Sequence, residues 1–201
     1  MLEGRLRRQK RKNTFEATMH FKKMIGEKCY LSPIDLEDTN LYAEWLNSEE
    51  VFQYLLVGTS IVSYESEKEI LLRLSKEHVY GIIENENNTL IGNVGLVSVN
   101  HIHKTAEVGI FIGRKEYWGK GYGTEALKLL IDYSFRVLGI ENIMLKVFDY
   151  NVRARKCYEK VGFKEIGKRR KAHYYNNERH NEIYMDIIKE DFYKEDKKRS
   201  F

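Results

Sequence analysis

Three glycines in five residues, Gly119-Lys120-Gly121-Tyr122-Gly123, join two stretches of different period. Before them, Glu107 to Ile112 is short, β-branched and aromatic, as a buried strand requires. After them, Ala126, Leu127, Leu130, Ile131, Phe135 and Leu138 recur at helical spacing, and Gly139 follows where a helix C-terminus favours glycine. The glycines allow the chain to turn with positive φ, and Thr124 is expected to cap the helix. A glycine turn opening a helix presents unpaired N–H groups at the positive end of the helix dipole, which suits a phosphate. Two familiar phosphate loops are excluded by spacing. Gly113 lies one residue too far from Gly119-Lys120 for GxxxxGK, and Gly121 follows the lysine instead of Ser or Thr; the turn itself reads GxGxG rather than GxGxxG. A plain glycine-rich connection is the bland alternative.

Around this unit the chain alternates irregularly between short strands and helices. Strands are predicted over Glu27 to Ser32, Val79 to Ile83, Leu90 to Val99, Asn142 to Phe148, from Phe163 to Ile166 and over Ile183 to Ile188. Helices are predicted after the Asp35-Leu36-Glu37-Asp38 cap, from Ser48 to Leu55, from Tyr64 to Glu77 with Ile70, Leu71 and Leu74 inward, and from Asn151 to the stop at Gly162. Val57 to Ser63 is ambiguous, Arg169 to Glu182 reads as a long polar loop, and Lys189 to Phe201 reads as a frayed charged tail. The class is α/β (mixed α+β), one domain around a twisted sheet. The expected division is a leader over residues 1–18, a domain over 19–192 and a tail over 193–201.

The chain has 201 residues, 42% of them hydrophobic and 32% charged, as ordinary globular domains do. No apolar run approaches a membrane span, and no secretory signal is legible, so a cytoplasmic location and no membrane partner are expected. Cys29 and Cys157 are the only cysteines and suggest no disulfide framework. The chain carries 34 Lys and Arg against 30 Asp and Glu, but residues 1–18 hold six against two, leaving 28 of each elsewhere. The basic excess therefore belongs to the leader, which is read as disordered, vector-derived or preceding a true start at Met19 rather than as an RNA-binding arm. Nucleic acid is not expected as a partner; a homodimer is left open.

The block Trp118-Gly119-Lys120-Gly121-Tyr122-Gly123-Thr124-Glu125-Ala126 resembles the pyrophosphate loop of the GNAT N-acetyltransferases, nearest to their RimJ/RimL-like branch. Trp118 departs from the family's usual Gln or Arg at that position. Asn151 to Phe163, NVRARKCYEKVGF, is similar to the family's second coenzyme A motif. The resemblance spans about Glu27 to Phe192. It implies acetyl-CoA as co-substrate and a sheet whose parallel strands, Glu107–Ile112 and Asn142–Phe148, splay to admit the pantetheine arm. It implies coenzyme contacts from Ile110, Phe111, Ile112, Trp118 to Thr124, Asn151, Arg153 and Lys156, with Lys120, Arg153, Arg155 and Lys156 flanking the phosphates.

Direct acetyl transfer to an amine needs a base for the amine and an acid for the leaving thiolate, but no protein nucleophile. By resemblance Tyr158, seven residues after Asn151, is the general acid, and Glu107, eleven before Trp118, is a base or water relay. Without the resemblance Tyr158 reads as a core tyrosine on the apolar face of its helix, and Glu107 can be a strand-end carboxylate that merely pairs or orders water. Cys157 reads as a buried structural thiol. His101, His103, His173 and His180 form no recognised ligand set, so no metal is assigned.

Between Lys28 and Lys68 there is no Lys or Arg, while Asp35, Glu37, Asp38, Glu44, Glu49, Glu50, Glu65 and Glu67 fall in that interval. By resemblance these early helices wall the acceptor site, and an acidic wall attracts cations. A solvated acidic face is the competing account. The expected reaction acetylates a small cationic, polyamine-like amine or a peptide N-terminus. The alternatives are a coenzyme A-binding regulatory module without turnover and an RNA-associated protein.

Overall fold

The computed structural model describes residues 20–55 and 60–199; the leader and part of the ambiguous stretch 57–63 lie outside it. In chain order the elements are β1 (Met24–Ile25), β2 (Cys29–Pro33), α1 (Thr39–Asn47), α2 (Glu49–Phe52), α3 (Tyr64–Leu74), β3 (Val79–Glu84), β4 (Thr89–Asn100), β5 (Thr105–Ile112), α4 (Tyr122–Arg136), β6 (Asn142–Phe148), α5 (Val152–Val161), β7 (Lys164–Tyr175), β8 (Glu178–Ile188) and α6 (Lys189–Arg199). Among the described residues no helix is long and apolar enough to cross a membrane.

The strands form one eight-stranded sheet in the order β1-β2-β3-β4-β5-β6-β8-β7. Every neighbouring pair is antiparallel except β5 and β6. That parallel pair is short. It matches Thr105 with Asn142, Ala106 with Ile143 and Glu107 with Met144, and goes no further. Beyond Glu107 the two strands part, as expected of this stretch.

Side-chain alternation along the strands feeds a core on each face of the sheet. One cluster sets Ala126, Leu127, Leu130, Ile131 and Phe135 of α4, Tyr158 and Val161 of α5, and Phe192 of α6 against Leu31, Ile82, Val108 and Leu145. The other sets Tyr42, Trp45, Val51 and Leu71 of the early helices against Tyr30, Ile83 and Leu90. Its aromatic centre is edge-to-face: Tyr42, Trp45 and Phe111 have ring centroids 5.4, 6.2 and 6.1 Å apart.

Several predicted elements change. Arg169 to Glu182 is no loop but most of the β7–β8 hairpin, turning at Asn176 and Asn177, both at positive φ. Its residues are polar because its exposed faces meet water, not because it lacks a ladder. The tail is helical from Lys189, since Phe192 is buried against Phe135 and fixes that turn. Helix α3 stops at Leu74, and on it Ile70 stays 40% exposed while Glu67 is buried. Ser63 begins α3 with a reciprocal Ser63–Ser66 capping box.

Candidate active site

Helix α4 begins at Tyr122, with Gly121 at the N-cap at φ +93° and no side chain capping the end. Thr124 is therefore not the cap; it lies within the first turn, its Oγ1 3.3 Å from Cys157 Sγ. The first backbone bond of the helix runs from the Glu125 N–H to the Gly121 carbonyl, so the N–H groups of residues 122–124 point beyond the helix end. A Cβ at Gly119 would meet nothing within 4 Å, so the approach to the turn is open. Glu125 locks the turn from behind: its carboxylate accepts the backbone N–H groups of Glu27, Lys28 and Cys29 at 2.9, 2.8 and 2.9 Å.

A cavity of about 1010 Å³ runs along this turn and the gap between β5 and β6. Glu107 and Tyr158 both line it. Glu107 sits at the last β5–β6 pair, opposite a register shift in β4 between Leu96 and Ser98. Such bulges re-aim side chains beside functional sites. Glu107 Oε1 is 3.1 Å from Lys146 Nζ, and Lys146 lines the cavity too. Burial, with the neighbouring Cys157 second, pushes the Tyr158 phenol well up, so it carries its proton at neutral pH. Burial likewise pushes the Cys157 thiol up, against a smaller opposing effect of its Thr124 hydrogen bond.

On the other flank Asn151 caps α5 by accepting the Ala154 N–H at 3.2 Å. The Arg153 guanidinium lies 3.7 Å from the Trp118 ring centroid, and the Trp118 indole N–H donates to the Ile112 carbonyl at 2.7 Å. Trp118 thus ties Arg153 to the end of β5.

Residues 28–164 match the acetyltransferase (GNAT) domain family. The chain belongs to the GNAT acetyltransferases. Spermidine N(1)-acetyltransferase of Escherichia coli K12 is 31% identical over 175 residues, covering 83% of this chain and 89% of that protein. A Bacillus subtilis protein named "Putative ribosomal N-acetyltransferase YdaF" is 31% identical over 106 residues, 53% of this chain and 57% of that one. Spermidine N-acetyltransferase from Vibrio cholerae, solved with CoA and spermine, has a TM-score of 0.76 at 24% identity, over 84% of this chain and 99% of that chain.

This GNAT enzyme is an acetyl-CoA-dependent N-acetyltransferase, and the uncapped α4 N-terminus beside a strand gap fits such a co-substrate. Of the residues expected at the coenzyme, Ile110, Phe111, Ile112, Trp118, Gly119, Gly121, Gly123, Thr124, Asn151, Arg153 and Lys156 line the cavity. Lys120 is exposed outside the lining, and Tyr122 turns its ring onto Tyr117, 5.2 Å between centroids. Tyr122 can still offer its backbone N–H.

Of the eight carboxylates between Lys28 and Lys68, Glu67 alone is in the lining. Glu49 accepts from the Tyr175 hydroxyl at 3.0 Å, Glu50 pairs with Lys115, and Asp38 lies 3.0 Å from His20 Nε2. The acidic wall is thus mostly spent on structure or left in solvent. Sequence reasoning also passed over Lys146 and Tyr42, which both line the cavity. Lys146 carried a signal, being a charge inside an otherwise apolar strand.

Proposed function

We propose that the protein moves the acetyl group directly to the primary amine of a small cationic acceptor in a ternary complex. The carrying observation is that Glu107 and Tyr158 line one cavity whose only thiol in the lining, Cys157, is held protonated by burial. A neutral thiol bonded to Thr124 is a poor relay nucleophile. Bound acetyl-CoA supplies the activated acetyl thioester. Glu107, directly or through water, takes the proton the amine must lose. Lys146 holds the Glu107 carboxylate through Oε1 and so orients it. Tyr158 holds the proton for the departing sulfur, whose own basicity rises in the same desolvated cavity.

The cationic acceptor is supported by the buried carboxylate in the lining and by the likeness to a spermidine acetyltransferase over most of the chain. A protein N-terminus is the rival, supported by the shorter likeness to the ribosomal enzyme. Initial rates with acetyl-CoA and spermidine varied together should give intersecting double-reciprocal lines. Parallel lines, with an acetylated enzyme seen by mass spectrometry, would refute direct transfer. Turnover of a ribosomal-protein N-terminal peptide but no spermidine would replace the acceptor.

A further inference from the structure

Among the described residues, two polar atoms in the cavity wall are buried without a hydrogen-bond partner: Glu67 Oε2 and the Tyr42 hydroxyl. Glu67 is 2% exposed and Tyr42 1%. They come from different helices, α3 and α1, and are near enough to interact electrostatically. Glu67 stands at helical spacing from Leu71 and Leu74, so the register of α3 turns it onto the face that packs inward. The cavity lining also includes Ile70, Leu74 and Val79, and among the described residues no cation is paired with Glu67. The other carboxylate in the lining, Glu107, is already matched by Lys146. Asp38, the next acid facing Tyr42, is matched by His20.

A carboxylate buried among aliphatic groups costs free energy unless something satisfies it. Here both orphan atoms accept hydrogen bonds and both border a cavity deep enough for a ligand. An alkylammonium answers that pair: it offers three N–H donors and one positive charge at the end of an apolar stem, and the aliphatic lining suits the stem. Resting on the acceptor reading above, we infer that Glu67 and Tyr42 form an ammonium subsite for the non-reacting cationic group of a di- or polyamine, separate from the Glu107 end where the reacting amine is deprotonated. The enzyme then selects acceptors by the presence of a second charge, not by overall acidity of its surface.

The test compares spermidine with butylamine, which has a reacting amine and an alkyl stem but no second cation. The wild type should prefer spermidine in kcat/KM. Glu67→Gln keeps the shape and removes the charge, and should lower that preference about tenfold to a hundredfold, as a charge-assisted hydrogen bond does, through KM rather than kcat. Tyr42→Phe should lower it by a smaller factor, on the order of threefold. Coenzyme A affinity, measured by calorimetry on each variant, checks that the cavity has kept its form. A wild type that turns over both amines equally, or a Glu67→Gln enzyme with undiminished preference, overturns the subsite and leaves amine acetylation standing. A wild type that acetylates neither amine overturns the acceptor reading with it.

Discussion

Tyr158 belongs to the core and to the cavity wall at once. Its ring packs edge-to-face on Phe163, 5.9 Å between centroids, while the residue borders the cavity. The apolar helix face predicted the packing; the acid role that the resemblance implies is what substitution tests. Tyr158→Phe keeps the packing and deletes the proton, so kcat should fall about 10²–10⁴-fold with coenzyme affinity nearly unchanged. A loss within about twofold in single-turnover rates would reduce Tyr158 to packing. Glu67 makes a different residue-scale prediction. Burial pushes its carboxyl from 4.5 up to about 7. In that window the folded state binds a proton that the unfolded state has released, so stability must fall as pH rises from about 4.5 to about 7 and level off above. The effect is at most on the order of 3 kcal/mol, and Glu67→Gln should flatten it. Denaturation of the free protein at pH 5 and pH 8 reads it directly; identical pH dependence in wild type and variant would mean that Glu67 is not titrating there.

At the scale of elements, the strand–turn–helix unit and its second motif were legible because glycine and helical periodicity act locally. The β6 limits match the sequence reading residue for residue, and Asn151 and Gly162 bound α5 as expected, with Gly162 at φ +118°. The outer ends of the β7–β8 hairpin were read as strand, but its turn-proximal part, Arg169 to Glu182, was missed for a physical reason. A strand at the sheet edge with both faces wet has no period-2 hydrophobic signal, so only Asn176-Asn177 marked it, and the same dipeptide at Asn87-Asn88 was recognised because apolar strands flank it. The tie between α4 and β2 was also invisible, since it joins positions 96 to 98 residues apart. Glu125 satisfies three backbone donors at the entry to β2, and it does so from the first turn of α4. Glu125→Ala should therefore cost about 1–3 kcal/mol by chemical denaturation and also weaken coenzyme A binding. Unchanged stability would mean that water replaces the carboxylate without loss.

For the whole molecule, the question is whether the acceptor feels a field or a site. The acidic interval from Cys29 to Glu67 suggested a field, and its composition was read correctly; what composition could not supply was where each carboxylate points. Glu49 and Glu50 are exposed and already engaged with Tyr175 and Lys115, while Glu67 is enclosed. Charges in water beyond about 8 Å are largely screened at physiological salt, whereas an enclosed charge is not. Combined Glu49→Gln and Glu50→Gln changes should thus leave the spermidine KM within about twofold, the scale expected for exposed pairs. Raising ionic strength should likewise change that KM little, with Glu67 present or absent. If the double variant instead raised KM as much as Glu67→Gln, and high salt did the same, then the long-range potential of the acidic helices would govern acceptor choice and the enclosed carboxylate would be incidental. A selective loss in Glu67→Gln alone would place recognition in one buried contact, reached only after the amine has left solvent.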